Sequence, residues 1–389
     1  MVPTADIRRL AAEAAPGTIE LRRDLHRHPE LGWTERRTTY ELARRLRELG
    51  LDPEVRDDGV GLVVDVGPAP PRVGFRADLD ALPIEEANDV PYRSRNEGVM
   101  HACGHDAHAA IGVGIAEVLV RLGSLPAGVR FVFQPAEELL PGGAVTLVAE
   151  GVHEGLEALV AFHVDPSLEP GLVGTRVGPI TAASDKFTIH LHGPGGHTSR
   201  PHQTVDLHHV AARVVLDLPT RLRARLDPLR TVVPVFGRVA GGTAPNVIPT
   251  RVELAGTMRT VDPETWQELP KLTAELVDEI VAPFGARAEL DYVQGSPPVV
   301  NDAAVVAAVE AAVAALYGPE AIRTTHQSLG SEDFAWYLED VPGAMLRLGV
   351  AREGPPVDLH SATFDLDESA LEVGIAVGAA ALLELIARR

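Results

Sequence analysis

Residues 99–108 read VMHACGHDAH and hold the only cysteine of a 389-residue chain, set among three histidines and an aspartate. Cysteine and imidazole are donors for Zn, Mn, Co or Ni rather than for Mg or Ca. A buried cysteine standing alone is usually a small apolar side chain, but the Cys103-x-His105 spacing with further histidines nearby points to metal. The pair precedes a helical pattern, where N-terminal amides favour a thiolate. Similar residue types recur after apolar runs: Asp78 and Asp80 follow VGF (73–75), Glu137 and Glu138 follow VRFVFQPA, His163 closes LVAFH, and His360 lies in DLHSATFD ahead of the last helix. Pro135 ends its strand and aims both glutamates at the strand end. In open α/β sheets the carboxyl ends of strands line the ligand crevice, so these distant residues are expected to converge.

The elements that position them follow from apolar periodicity. RVGFRAD (72–78), VRFVF (129–133) and LVAFHV (159–164) read as short buried strands, with helices near 106–121 and 141–150. That is α/β grammar with a parallel or mixed sheet. From about residue 180 the pattern becomes strand 184–193, helix 204–217, strands 231–239 and 251–259, helix 263–282 and strand 286–293, the β-α-β-β-α-β order of a ferredoxin-like unit. The α/β pattern then resumes, with a strand at 344–350. The expected architecture is a mixed-sheet α/β domain, 1–179 and 294–389, carrying an inserted domain at 180–293.

Composition bounds the function. A single cysteine cannot close an internal disulfide, which suits a reducing compartment, and no secretory or twin-arginine pattern follows the N-terminal arginines. A cytoplasmic protein is expected. VGIAVGAAALL (373–383) reads as too short to span a bilayer, and a net charge of −20 opposes nucleic acid and anionic membranes. His26 and His28 fall in a charged first helix and read as structural or surface residues. His208 and His209 read as solvent-facing residues in mid-helix, and His101 and His108 as groups supporting the ligands from behind.

The ordered segments RRDLHRHPELG, FRADLDALP, MHACGHDAH, FQPAEE, AFHV, GPGGHTSRPH, GGTAPNVIP, GSEDFA and LHSATFD resemble, over nearly the whole chain, the M20 metallopeptidase and amidohydrolase family. Within it they resemble the branch of hippurate hydrolases, N-acyl-amino-acid amidohydrolases and auxin-conjugate hydrolases. The resemblance implies a two-metal catalytic domain with a ferredoxin-like lid through which the protein forms a homodimer or higher homo-oligomer. It implies metal ligands Cys103, His105, Glu138, His163 and His360, Glu137 as general base, and Asp78 behind the ligands. It further implies His197 as oxyanion donor acting in the partner subunit's site, and Asn246 and Arg259 as binders of the substrate carboxylate. Arg76 stands where many relatives have a first histidine, and Cys103, whose sulfur has lone pairs enough, is the candidate bridge between two divalent ions, Zn or Mn, with Co or Ni compatible. The implied reaction is hydrolysis of the amide of a small-molecule N-acyl amino acid. A carboxypeptidase or dipeptidase is the nearest alternative. From other classes come a thiol amidase using Cys103 and a non-catalytic metal or ligand carrier.

Overall fold

The structure, a computed structural model, describes residues 4–388 and divides into two compact units. The first comprises the chain to Gly178 with Val300–His326 and the stretch from Asp333 onward; the second comprises Pro179–Val299 and Gln327–Glu332. The expected inserted domain ended at 293. Its end lies further on because Val299 is tied to the start of the same unit, donating its amide to Thr181 and accepting from Ile180.

The first unit is built on an eight-stranded mixed sheet. Its order is Glu54–Val55, Leu62–Val66, Gly128–Gln134, Pro71–Asp78, Ala158–Asp165, Gly343–Gly349, Val173–Thr175 and Ile322–Thr324. Pro71–Asp78 runs parallel to both neighbours, and Gly343–Gly349 runs parallel to Ala158–Asp165 with Arg347 opposite His163. These central strands are buried almost throughout, as expected of continuous apolar runs covered by helices. Phe75, Phe131 and Phe162 meet at 5.6–6.0 Å between ring centroids.

The helix Ser369–Ala387 corrects one expectation. It has 19 residues at mean hydropathy 2.0 and is long and apolar enough to cross a membrane by length and composition. Its apolar surface is instead spent inside the unit, against helices Thr4–Arg27, His105–Leu122 and Ala303–Tyr317. Gly378 permits the closest approach, since a Cβ there would stand 2.3 Å from Ile115 Cδ1.

The second unit is a four-stranded antiparallel sheet in the order Val232–Gly241, Arg251–Thr260, Ala183–His192, Arg287–Val293. This is ferredoxin-like topology. Helices Leu207–Arg225 and Pro263–Val281 pack on it around Leu191, Val214, Leu254 and Leu276. The first of these helices starts and ends later than expected, running through Pro219 because the apolar spacing Val214, Leu218, Leu222 keeps its face buried. His208 and His209 therefore stand in its first turn, not in mid-helix. They are exposed, and both amides are capped by Asp206.

Candidate metal centre

Every expected metal donor belongs to the first unit, and the fold brings all five together. Cys103 lies in the loop before His105–Leu122, and Gly104, at φ 85°, turns the chain into that helix so that Cys103 and His105 face the same space. Cys103 Sγ is 3.5 Å from His163 Nε2 and 3.3 Å from His360 Nε2. His360 Nε2 is 3.3 Å from Glu138 Oε1, and His105 Nε2 is 4.0 Å from it. Donor atoms within 4.8 Å of one another form the sets Cys103, His105, His163 and Cys103, Glu138, His360, with Cys103 common to both, and a third set of His105, Glu137 and Glu138.

Ring orientations favour these donors. The Asp80 carbonyl accepts from His105 Nδ1 at 2.9 Å and the Val164 carbonyl from His163 Nδ1 at 2.9 Å. A carbonyl can only accept, so the protons sit on Nδ1 and the Nε2 lone pairs face inward, the arrangement usual for metal-binding histidine. His105 Nε2 and Glu138 Oε1 are buried atoms without a hydrogen-bond partner, which divalent cations would satisfy. Burial, with Arg347 adding to it, holds His163 well below the usual imidazole range, so its ring is neutral, the form a metal ligand takes. Burial opposes charge on His105 too, but the Asp78 carboxylate outweighs it and raises that ring well above its usual range. The negative field that would hold a proton there would equally hold a cation. The donor set thus fits the metals that the resemblance implies.

His108 is not available as a ligand. Its Nε2 accepts the Val164 amide at 2.9 Å and its Nδ1 donates to Asp78 Oδ1 at 2.7 Å. Asp78 also accepts from Arg76 at 2.6 Å and lies 3.9 Å from His105 Nε2. Arg76 is itself buried, bound to Gln134 and Asp333 as well.

Cys103 corrects a sequence expectation. Burial, at 6% exposure, pushes its thiol up to about 12 although His105 opposes this. The helix N-terminus does not make it a thiolate unaided, which counts against a self-activated cysteine nucleophile.

Behind the loop lies an ion cluster that sequence reading missed. Arg22, wholly buried, donates to Asp106 at 2.7 Å, Asp365 at 3.0 Å and Glu368 at 3.3 Å, and its guanidinium stands 5.0 Å from the Tyr92 ring centroid. His26 is buried here, bridging Asp106 at 2.8 Å and Glu86 at 3.2 Å, so of the expected structural or surface role only the structural one holds. Burial opposes charge on Asp106, but Arg22 and His26 hold its carboxyl far below the usual range. His101 is buried with no hydrogen-bond partner on either nitrogen, and burial pushes it down to about 3.

The remaining expected residues lie in the second unit. His197, exposed, pairs with Val247 in a two-stranded ribbon, and Asn246, also exposed, accepts the Thr198 amide at its carbonyl. The Ser199 amide donates to His197 Nδ1 at 3.0 Å, which leaves the proton of a neutral ring on Nε2. Arg259 donates to the Leu329 carbonyl.

The chain belongs to peptidase family M20/M25/M40, whose model matches residues 74–384, and it is a hydrolase of that family. It is 46% identical over 359 residues to a putative glutamate–cysteine ligase 2-3 of Rhodococcus jostii; the match covers 92% of this chain but only 45% of that relative's length. It is 37% identical over 364 residues to an N-acetylcysteine deacetylase of Bacillus subtilis, covering 91% of this chain and 93% of the relative. Among solved structures it is similar to the Bacillus subtilis YXEP protein, described as a dinuclear metal binding peptidase from the M20 family. That likeness has a TM-score of 0.85 and 34% identity, covering 97% of this chain and 99% of the other.

Proposed function

We propose that this protein hydrolyses the amide bond of N-acyl amino acids, using two divalent ions, Zn or Mn, held by Cys103, His105, Glu138, His163 and His360. The observation that carries the reading is the pair of donor sets sharing Cys103, with Glu137 beside Glu138 and within reach of His105. Ions held there would supply Lewis acidity, polarising the scissile carbonyl and making a water acidic enough to lose its proton near neutral pH. Glu137 takes that proton as the water oxygen adds to the carbonyl carbon. His197 donates from Nε2 to the developing oxyanion, and reaches it from the partner subunit of a homodimer. Glu137 then returns the proton to the amine as the carbon–nitrogen bond breaks, leaving a carboxylic acid and a free amino acid. Asn246 and Arg259 bind the substrate carboxylate, Arg259 exchanging its carbonyl partner for a bidentate one. The deacetylase relative makes N-acetylcysteine the first candidate substrate.

The test is turnover by protein reconstituted separately with Zn and Mn against N-acetyl-amino acids, N-benzoyl-amino acids and dipeptides. Release of free amino acid from the acyl substrates, abolished by chelator, is expected. Turnover of dipeptides alone would establish the peptidase alternative, and full turnover by metal-free protein would overturn the mechanism.

A further inference from the structure

Three consecutive amides at the turn bearing the glutamate pair are taken by two buried carboxyl groups. Ala136 donates to Glu35 Oε1 at 2.7 Å, Glu137 to Asp80 Oδ1 at 2.9 Å and Glu138 to Asp80 Oδ2 at 2.9 Å. Ala136 has φ 54°, a left-handed conformation that a residue with a Cβ adopts only when its surroundings impose it. Gly143 packs against the same turn: its amide binds the Ala136 carbonyl at 2.9 Å, and a Cβ there would stand 1.9 Å from the Pro135 oxygen.

Glu35 stands at the N-cap of helix Arg36–Glu48 yet makes no side-chain cap to it. Glu30 serves that helix instead, accepting from the Arg37 and Thr38 amides. Glu35 is 0% exposed, and its Oε2 is buried without a hydrogen-bond partner, an arrangement that costs stability. A carboxyl kept at such cost, and aimed away from its own helix at a strained turn, has its use at the turn.

We infer that Glu35 is a positioning residue for the reaction: by holding the Ala136 amide in the left-handed conformation it fixes where the Glu137 and Glu138 side chains leave the backbone. This rests on the roles proposed above for those two glutamates. Burial, with the Asp80 charge adding to it, pushes Glu35 up to about 8, so glutamine is its nearest neutral mimic.

Three variants separate the acceptor from bulk and charge. Glu35→Gln keeps both length and acceptor, Glu35→Met keeps length without an acceptor, and Glu35→Asp keeps a carboxyl that falls short of the amide. Each is compared by kcat and KM, by thermal unfolding, and by calorimetric titration of Zn or Mn into the metal-free protein. Glu35→Gln should retain kcat within about threefold, while the other two lower kcat by about 10- to 100-fold with KM nearly unchanged, the cost of misplacing a catalytic group. One ion should also bind them about tenfold more weakly, through Glu138. Folding should not follow that ranking, because Glu35→Met relieves an unsatisfied buried carboxyl. Wild-type kcat and metal affinity in Glu35→Asp would overturn the inference, as would an equal loss in Glu35→Gln; the aspartate variant decides the matter even if the methionine variant does not fold. Metal titration needs no substrate, so it still decides on Glu35 if no N-acyl amino acid is turned over and the functional reading fails.

Discussion

Removing Arg22 should be among the costliest single changes in the first unit, and the cost should depend on pH. Arg22 and Asp106 are both wholly buried at 2.7 Å. In Arg22→Met, Asp365 keeps Tyr92 and Arg352, whereas Asp106 keeps only His26 on one oxygen and has no partner on the other. The variant therefore leaves one buried carboxylate short of its main counter-charge, for which a loss of about 3–5 kcal/mol is expected near pH 7. In the wild type the depressed folded-state pKa of Asp106 contributes stability that is present above the unfolded carboxylate pKa and is lost only in strong acid. Without Arg22 that pKa rises, the folded variant takes up a proton sooner than the unfolded chain, and the deficit should shrink between pH 7 and about pH 4. Urea unfolding measures it, followed by fluorescence of Trp33 and Trp336 in a Trp266→Phe background so that the signal comes from the first unit. Adding Asp106→Asn should recover a large part of the loss in a double-mutant cycle. A loss below about 1 kcal/mol, or one indifferent to pH and to Asp106, would refute the reasoning.

The other expectations concern the site itself. Glu137→Gln should keep both ions and lower kcat by about 100-fold or more, whereas Glu138→Gln should lose metal; elemental analysis beside kinetics checks the division, and identical behaviour with full metal in both would end it. Chelation should abolish activity and added divalent metal restore it, and Cys103→Ser should lose metal and activity together, while a purely nucleophilic thiol would leave metal content unchanged. Mixed under subunit exchange, His197→Ala and Glu137→Gln proteins should give activity well above either parent; confirmed exchange without recovery would place His197 in its own chain or outside catalysis.

Much of this was legible because the informative signals are local. A buried strand, a proline stop and a pair of acids are read from neighbouring residues, so the strand ends bearing Glu138 and His163 were found within a residue or two. The βαββαβ order is legible because strands such as Arg287–Val293 and most of Ala183–His192 alternate by burial and each helix repeats its apolar face. What escaped was polar and long-range. Glu35 looks like either of the two acids in HPELGWTERRT, and only folding brings it to Ala136, 101 positions away. Asp80 reads as an acid just past a strand end, but nothing in DLDALP says that its two oxygens take the Glu137 and Glu138 amides. Arg22 and His26 sit in so charged a helix that the sequence favours solvent for them, because their partners come from residues 86, 106, 365 and 368. The last helix differs for another reason: Glu372 and Glu384 bound its apolar stretch in the sequence, yet the helix runs through both, from Ser369 to Ala387, and its small residues let it pack in the core.

The place of strand Gly343–Gly349 bears on how the protein is made. It lies between Ala158–Asp165 and Val173–Thr175, two strands translated long before it, with the whole ferredoxin-like unit encoded in between. At about 5–20 residues per second, the 184 positions separating Asp165 from Gly349 take roughly 10 to 40 seconds to synthesise. Throughout that interval the strand bearing His163 has an open edge on one side, and the nascent chain exposes an apolar strand that invites pairing with others. His360 emerges later still, so the donor set is completed only after the sheet has closed. Capture of metal by all five proposed donors would therefore be a late event in the life of each chain, and a ribosome stalled anywhere in the inserted unit would hold out a half-built sheet with four of the five, Cys103, His105, Glu138 and His163.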